Sequence, residues 1–248
     1  MERLLDVKGV YFGYNKKYVL EDVNLTVFRG DFLGIVGPNG SAKSTLIKII
    51  LGILKPQRGT VVLLNSPIER FNQWDRIGYI SQRVRNFNPA FPATVEEIVG
   101  ANLYSQMGVF KFFNKEHKTK IKEALDVVNM SDYQDHLIGN LSGGEQQKVF
   151  IARTLISNPE IIFMDEPLVG VDVQSQEQFY GLMEKLNKEL GITLVMVSHD
   201  IGVITDKANR VACVGNRKVC VHPSTDFNKE EHIRDVYGED LSILHHKH

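Results

Sequence analysis

The chain has 248 residues, of which 43% are hydrophobic, enough for a well-buried core in one domain or in one domain with an insert. Its 29 Lys and Arg nearly balance its 30 Asp and Glu, which gives no reason to expect a nucleic-acid-binding surface. No apolar run reaches the roughly 18–20 residues needed to cross a bilayer, so we expect a cytoplasmic protein whose membrane role requires a separate partner.

Short strands dominate the first third of the chain. Apolar patterning predicts them over Leu4–Val10, Val19–Val27, Phe32–Val36, Gly59–Leu64 and Ile77–Ser81. A Gly-rich turn follows the third strand and meets a helix predicted over Lys43–Leu54, whose apolar positions have helical spacing.

The middle of the chain changes character. Turn-rich sequence leads into helical patterns near Val95–Tyr104 and Glu116–Val128, which we interpret as an inserted helical subdomain. The alternation then resumes with a helix ending near Ile156, a strand at Ile161–Met164, a helix at Ser175–Leu190 and a strand at Thr193–Val197. Strands that alternate with helices predict an α/β fold with a mainly parallel sheet covered on both faces.

The last part of the chain holds both cysteines, Cys213 and Cys220, in a strand-like stretch. Two cysteines make no disulfide framework, so we expect reduced, packed thiols. Beyond them, Asn228–His248 is predicted to form a short helix followed by a mobile tail.

A phosphate-binding loop is indicated where the third strand meets the first helix, in the run Gly37-Pro38-Asn39-Gly40-Ser41-Ala42-Lys43-Ser44. The backbone N–H groups of such a loop and the helix N-terminus form a cradle for anions. Lys43 supplies a charge to the β- and γ-phosphates, and Ser44 can place its hydroxyl on Mg²⁺.

Ala42 stands where a glycine normally precedes the lysine of such loops. Alanine fits without strain if the residue already has helical φ and ψ, whereas a positive φ would be costly. Because the helix begins here, we predict the helical conformation for Ala42.

Two acids follow the apolar run of the later strand, at Asp165 and Glu166. Acids at the C-terminal end of a buried strand lie where ligands bind in open α/β sheets. Asp165 would orient the Mg²⁺ shell and Glu166 would polarise an attacking water. The alternative is a strand followed by an acid that only caps a helix.

Further segments resemble the ATPases of ABC transporters, in family order and spacing along nearly the whole chain. Leu141-Ser142-Gly143-Gly144-Glu145-Gln146 resembles the signature motif, Ile80-Ser81-Gln82 the Q-loop, and Val197-Ser198-His199-Asp200 the switch histidine. Phe12-Gly13-Tyr14 matches the adenine-stacking position, and Val169-Gly170-Val171-Asp172 matches the D-loop. Glu145 replaces the commoner glutamine of the signature motif.

The resemblance implies a P-loop NTPase (RecA-like) core with an antiparallel β subdomain and an inserted α-helical subdomain. The expected division is a nucleotide-binding core at 1–82 and 157–227, a helical subdomain at 83–156 and a C-terminal segment at 228–248. The cofactors expected on this basis are ATP and Mg²⁺.

The resemblance also implies a head-to-tail homodimer in the nucleotide-bound state, with each ATP between the phosphate loop of one copy and Ser142–Gly144 of the other. The implied nucleotide-binding set is Tyr14, Gly37–Thr45, Ser142, Gly143, Gly144, Glu145 and Asp172. Glu166, His199 and Gln82 form the implied catalytic set, and Ser44, Gln82 and Asp165 the implied Mg²⁺ set. Hydrolysis would open the dimer and move a membrane partner.

Each of these matches has a simpler alternative. Ser142 and Glu145 form a Ser-x-x-Glu capping box, which starts a helix with or without nucleotide. Gln82 and His199 are also compatible with ordinary polar residues at strand ends, and Tyr14 with a core aromatic.

Of all the aspects of function, the transported solute is the one that the sequence determines least. The stretch Arg83–Ile98 and the segments Val211–Val214 and Val221–Pro223 resemble ATPases of zinc and manganese importers. This implies permease subunits, an extracellular or periplasmic solute-binding protein, and a peripheral location on the inner face of the cell membrane. Phe87 and Phe91 are candidates for a groove that takes a permease helix, or else they pack the insert.

Other functions stay open. The alternatives are an importer for another solute such as an iron chelate, an exporter, and a soluble ABC ATPase acting on nucleic acid or ribosomes. The terminal His245-His246-Lys247-His248 can bind Zn²⁺ weakly, but a mobile tail explains it equally well.

Overall fold

The structure is a computed structural model that describes residues 1–15, 17–81, 91–106, 113–168 and 171–227. Strands and helices alternate along these residues, which confirms the predicted α/β class. The strands are β1 (Arg3–Tyr14), β2 (Lys17–Phe28), β3 (Phe32–Val36), β4 (Arg58–Leu63), β5 (Ser66–Pro67), β6 (Ile77–Ile80), β7 (Ile161–Asp165), β8 (Thr193–Val197), β9 (Arg210–Gly215) and β10 (Lys218–Pro223). The helices are α1 (Lys43–Ile50), α2 (Val95–Gly100), α3 (Lys115–Val127), α4 (Gly143–Leu155), α5 (Val173–Lys188), α6 (Ile201–Lys207) and α7 (Ser224–Phe227).

The chain forms two compact units, one of Met1–Asn72 with Val195–His248 and the other of Gln73–Leu194. This division places β6 and β7 with the helices α2–α5. The predicted assignment of 1–82 and 157–227 to a core, with 83–156 as a helical insert, rests on motif positions and stays a prediction.

The first unit contains an antiparallel sheet with the strand order β2-β1-β4-β5. Alternate residues of β1 are buried, so this sheet presents one apolar face to the core. The sheet agrees with the antiparallel subdomain implied by the sequence.

A parallel strand pair in the same unit carries the phosphate loop. All five residues of β3 are buried, and β3 pairs in parallel with β9, which returns as β10 through a tight turn at Asn216 and Arg217. Both turn residues have positive φ, 47° and 65°, the conformation that matches the twist of a two-residue hairpin.

The second unit packs helices beside the parallel pair β6 and β7. Every residue of β7 is buried, as predicted for a strand without polar alternation. Three of its helices begin with a reciprocal capping box, in which the first side chain and the third helical side chain each bond the other's backbone: Thr94–Glu97 for α2, Asn114–His117 for α3 and Ser142–Glu145 for α4.

Several element boundaries differ from the predictions, and two of the differences have a clear local cause. The helix predicted over Lys43–Leu54 ends at Ile50, because Gly52 has a φ of 67° and Ile53 N–H bonds back to the Lys48 carbonyl at 2.8 Å, a glycine C-cap. The helix predicted from Ser175 begins at Val173, because Asp172 accepts a hydrogen bond from Ser175 N–H at 2.9 Å and caps it.

The expectation for the cysteines is half right. Both thiols are free, but only Cys213 is buried, whereas Cys220 on β10 is exposed. Burial, with a smaller contribution from Cys220, raises the pKa of Cys213 to about 12, so this thiol stays protonated at neutral pH. The predicted C-terminal helix and tail, residues 228–248, lie outside the described residues.

A membrane-spanning helix is absent from the part of the chain that the structure describes, since none of its helices combines the necessary length and apolarity.

A buried ion pair ties the end of β2 to β9 in the first unit. Asp31 is 5% exposed and accepts hydrogen bonds from Arg210 Nη1 at 2.6 Å and from Phe28 N–H at 2.9 Å. The same Arg210 nitrogen donates to the Thr26 carbonyl. Removing one partner of such a pair leaves the other charged group poorly solvated.

We therefore expect Asp31→Ala to lower the free energy of unfolding by about 2–3 kcal/mol, measured by chemical denaturation. The matched control is Glu21→Ala, which breaks an ion pair of similar length, 2.7 Å, with Arg217 at a more exposed place. The control substitution should lower the free energy of unfolding by less than about 1 kcal/mol. Equal losses in the two variants would show that burial of the Asp31 pair contributes nothing.

Candidate functional site

The loop that follows β3 is wound around a buried lysine. Lys43 is 4% exposed, and its Nζ donates to the carbonyls of Gly37 at 2.8 Å and Pro38 at 3.0 Å. The ammonium thus lies inside the loop with a fixed orientation, while the loop residues Asn39 and Gly40 are exposed. A positive charge held under exposed backbone is suited to binding an anion.

Gly37 opens the loop and has no room for a side chain. A Cβ on this residue would lie 2.1 Å from the Val214 carbonyl oxygen of the neighbouring strand. This close approach explains the glycine between β3 and the loop.

The Ser41 hydroxyl gives the strongest evidence that the loop is an anion-binding site. Its hydroxyl is buried and, within the described part of the chain, has no hydrogen-bond partner. A buried hydroxyl without a partner costs free energy, so native proteins rarely retain one without a functional reason. A phosphate oxygen in the loop would be such a partner, which makes the loop a good fit for a nucleotide.

Ala42 adopts a left-handed conformation, with φ 75° and ψ 24°, so the prediction of a helical Ala42 was wrong. The residue is the N-cap of α1 rather than its first helical residue, and its carbonyl accepts the Leu46 N–H at 2.9 Å. The chain must reverse here from loop to helix, and this turn uses the φ that glycine adopts easily and alanine does not.

The aromatic and histidine candidates lie in the same unit as the loop. Tyr14 is 49% exposed, so it is no core residue, and its hydroxyl lies 3.5 Å from Thr45 Oγ1 on α1. His199 is exposed and directly follows Ser198, whose N–H donates to the Ile35 carbonyl at 3.0 Å. His199 therefore lies near the C-terminal end of β3, where the phosphate loop begins.

The acidic pair lies in the second unit, at the C-terminal end of β7. Asp165 is 6% exposed and Glu166, with a φ of 52°, is half-buried. The pKa of Tyr79 on the neighbouring strand β6 is raised, mainly by burial and also by the charge of Asp165. The buried Asp165 thus places carboxyl oxygens, the donors that Mg²⁺ prefers, at the C-terminal end of β7.

The signature residues lie at the start of α4. A Cβ built on Gly143 would meet nothing within 4 Å, and one on Gly144 would lie 3.4 Å from Ser175 Oγ of α5. The N-terminal turn is therefore open on the Gly143 side, where the helix presents its N–H groups and positive dipole end.

Short hydrogen bonds form the capping box that flanks these glycines. Glu145 Oε2 accepts hydrogen bonds from Ser142 N–H at 2.8 Å and Ser142 Oγ at 2.7 Å. Hydrogen bonds from Ser142, with a smaller contribution from Tyr133, hold the pKa of Glu145 below its usual range. The helix-capping alternative is therefore present in the structure, and it is compatible with nucleotide binding.

The structure gathers the predicted residues into two groups, one in each unit. Tyr14, the phosphate loop with Thr45, and His199 belong to the first unit, whereas Asp165, Glu166, the signature residues and Asp172 belong to the second. Asp172 caps α5, and hydrogen bonds from Ser175 lower its pKa. Gln82 and the D-loop residues Val169 and Gly170 lie outside the described residues.

Two supporting residues were not predicted. Gln147 is 5% exposed and its Nε2 donates to the Pro167 carbonyl at 2.9 Å, so it joins the signature helix to the segment after Glu166. Tyr133, in a turn that precedes the motif, contributes to lowering the pKa of Glu145. A polar residue on a helix and an isolated tyrosine carry no sequence signal for these contacts.

Comparison with known proteins agrees with these motifs. The ABC transporter family model matches residues 20–169. The zinc uptake system ATP-binding protein ZurA of Listeria innocua is 44% identical over 244 residues, which cover 98% of this chain and 93% of that protein. The manganese transport system ATP-binding protein MntB of Bacillus subtilis is 36% identical, over 98% of this chain and 96% of its own.

Solved structures show the same fold. A dimeric ATP-binding cassette in a post-hydrolysis state with ADP and Pi is 31% identical and superposes with a TM-score of 0.74, over 89% of this chain and 98% of its own. A putative metal-chelate type ABC transporter in an inward-facing conformation superposes with a TM-score of 0.82 at 23% identity, over 95% of this chain and 89% of that one, which is a likeness of fold alone.

Ala42→Gly removes the strain of a left-handed alanine at the loop–helix junction. Glycine adopts this φ without steric cost, although it also gains entropy in the unfolded chain, so we expect a net increase in the free energy of unfolding of about 0.5–1 kcal/mol. Chemical denaturation measures it. A decrease in the free energy of unfolding equal to that of Lys48→Gly, at an exposed position in the last turn of α1, would mean that Ala42 is not left-handed.

Proposed function

The chain belongs to the ABC transporter ATP-binding family, and on that premise we propose that it hydrolyses ATP to drive uptake of a divalent metal ion, zinc or manganese, through a separate permease. The family supplies the ATPase activity. The metal is inferred from the relatives, because the zinc and manganese transport proteins align over nearly the whole chain.

The observation that carries nucleotide binding is the buried Ser41 hydroxyl, which has no partner among the residues that the structure describes, in the same loop as the buried Lys43. In our proposal Lys43 binds the β- and γ-phosphates, while Ser41 and the N–H groups of Gly37–Thr45 surround them. Tyr14 is proposed to stack on the adenine, since its ring is half exposed and edge-on to Phe12 at 5.0 Å between centroids.

Hydrolysis is assigned to the polar groups of both units. Glu166 orients and polarises the attacking water, and His199 and Gln82 assist in placing water and γ-phosphate. Mg²⁺ would be held by the Ser44 hydroxyl and by Asp165 and Gln82, and when bound it neutralises charge on the phosphates. A buried carboxyl group such as that of Asp165 and a hydroxyl such as that of Ser44 are oxygen donors of the kind that Mg²⁺ prefers, and Mg²⁺ needs few protein ligands.

The catalytic unit is proposed to be a homodimer. The N-terminus of α4, open at Gly143, would meet the γ-phosphate bound by the other copy, with Asp172 close to the contact between copies. The solved dimeric cassette with ADP and Pi supports this arrangement for a relative. ATP would then join two surfaces that otherwise offer no counter-charge to each other.

A surface for the permease is proposed on the second unit. Phe91 is 49% exposed and Leu137 is 44% exposed, and their segments are paired through the bridge Thr94–Leu137 and the bond from Ile138 N–H to the Ala93 carbonyl. Phe91 is therefore half-exposed, and in this proposal it offers apolar surface to a permease helix together with Leu137. Phe87, the other predicted groove residue, lies outside the described residues.

Other solutes remain alternatives under this proposal, including an iron chelate, as do export and a soluble role. Metal content of a deletion strain, compared with the parent, distinguishes them. Loss of zinc or manganese accumulation supports metal import, and unchanged metal content with loss of another solute contradicts it.

Glu166→Gln should retain ATP binding and ATP-dependent dimerisation but lose hydrolysis, because the amide cannot accept a proton from water. We expect the turnover number to fall about 10²–10⁴-fold, measured by phosphate release. Glu189→Gln, at an exposed position after α5, is the matched control and should keep full turnover. Near-normal turnover of the Glu166 variant would remove Glu166 from this role.

Lys43→Ala should weaken ATP binding roughly 10–100-fold, the loss of a charge-assisted hydrogen-bond partner. Titration of the purified chain with a fluorescent ATP analogue measures the affinity. Lys48→Ala, which removes an exposed lysine from the same helix, should bind as the parent does. Equal affinities for the parent and the Lys43 variant would contradict the assignment of the loop.

A further inference from the structure

The Ser142 hydroxyl at the tip of α4 has its only proton engaged. Ser142 Oγ lies 2.7 Å from Glu145 Oε2, and since an ionised carboxylate is acceptor-only, the hydroxyl is the donor in this bond. The remaining lone pairs of the hydroxyl face a donor, the Glu145 N–H at 3.4 Å. Ser142 therefore offers no free O–H to a ligand that arrives at the helix tip.

The Glu145 carboxylate is held in its charged form. It accepts from Ser142 N–H at 2.8 Å and from Ser142 Oγ at 2.7 Å, and these bonds lower its pKa. The folded-state pKa lies below the usual value, so Glu145 is ionised at neutral pH and loses its charge only in acid. A permanent negative charge thus lies directly under the signature turn.

The engaged Ser142 proton and the charged Glu145 carboxylate both disfavour the binding of a phosphate at this helix tip. A γ-phosphate is an anion rich in acceptors, so it gains from free donors and is repelled by a nearby carboxylate. The N–H groups and dipole of α4 attract it, whereas Glu145 both repels it and retains the Ser142 proton. For Ser142 to donate to the phosphate, its bond to Glu145 must break.

We infer that Glu145 is a positioning residue that sets the ATP concentration at which two copies close, by holding the Ser142 hydroxyl away from the neighbour's γ-phosphate. This inference rests on the proposed function, in which α4 of one copy meets the ATP of the other. A glutamine at this position keeps a carbonyl oxygen for the Ser142 N–H, removes the charge, and adds an N–H₂ donor.

The chain contains a matched control for the capping role. In α2, Glu97 Oε2 accepts from Thr94 N–H at 2.8 Å and Thr94 Oγ1 at 3.2 Å, the same arrangement as in the signature box. Glu97→Gln and Glu145→Gln therefore make the same change to a helix N-terminus of the second unit. Only Glu145 lies at the proposed phosphate contact, so an effect common to both variants reports on capping alone.

The test measures ATP-dependent dimerisation of the full chain by sedimentation, with Glu166→Gln present in every variant so that ATP persists. We expect Glu145→Gln to lower the ATP concentration for half-maximal dimerisation about three- to tenfold, the size expected when a charge is removed near a phosphate. Glu97→Gln should leave this concentration unchanged. In chains with Glu166 intact, Glu145→Gln should lower KM for ATP by more than it changes kcat.

Ser142→Ala separates the inference from the proposed function. If Ser142→Ala weakens dimerisation but Glu145→Gln does not strengthen it, the inference on Glu145 is overturned and the sandwich dimer stands. If neither variant changes dimerisation, the proposed contact between α4 and ATP is itself wrong. In the double variant that combines Ser142→Ala with Glu145→Gln, the strengthening of dimerisation by Glu145→Gln should be smaller. The reason is that the Ser142 hydroxyl, which Glu145→Gln would release, is absent.

Discussion

The buried ammonium of Lys43 is the constraint on which the nucleotide-binding unit depends. Two carbonyls at the start of the loop hold it, 2.8 Å and 3.0 Å from its Nζ, so the loop must curl back over the first turn of α1. The same loop has no space for a side chain at Gly37, gives Ala42 a left-handed conformation, and buries the Ser41 hydroxyl, which has no partner among the described residues. The buried hydroxyl costs free energy that a bound triphosphate can recover, since a phosphate oxygen supplies the acceptor.

Charge at the N-terminus of α4, in the second unit, is arranged differently from charge at the phosphate loop. The phosphate loop offers a cation and unsatisfied donors, whereas the N-terminus of α4 offers backbone N–H groups above a capped carboxylate. Capping stabilises the helix in every state of the protein, but at Glu145 it places a negative charge near the proposed contact with the second copy. In the proposed dimer, the phosphate loop would attract phosphate strongly, and the N-terminus of α4 would balance attraction against repulsion. Such a balance would suit an ATPase that closes and reopens in each cycle.

Much of the fold and site was predictable because strong local patterns specify it. The buried strands β3 and β7 follow from unbroken apolar runs, and the boundaries of β8 were predicted to the residue. The conformation of Ala42 was not predictable, because the left-handed turn is imposed by the packing of the loop and an alanine is an unusual residue to bear it. The exposure of Cys220, in a hairpin whose partner cysteine is buried, likewise depends on which strand lies at the edge. The predicted roles of the site residues remain predictions that the variants above can test.

The sequence alone determined the family and the class of chemistry, because phosphate binding needs particular residue types at short, fixed spacings that survive in the linear order. Only the tertiary structure decided the state of each group at the phosphate loop: that Lys43 is buried, and that the Ser41 hydroxyl has no partner among the residues described. The Ser142–Glu145 capping box is a local pattern, but burial arises from contacts between segments far apart in the chain, such as those of β9 with the phosphate loop. No local pattern encodes them, and they set the energies on which binding depends.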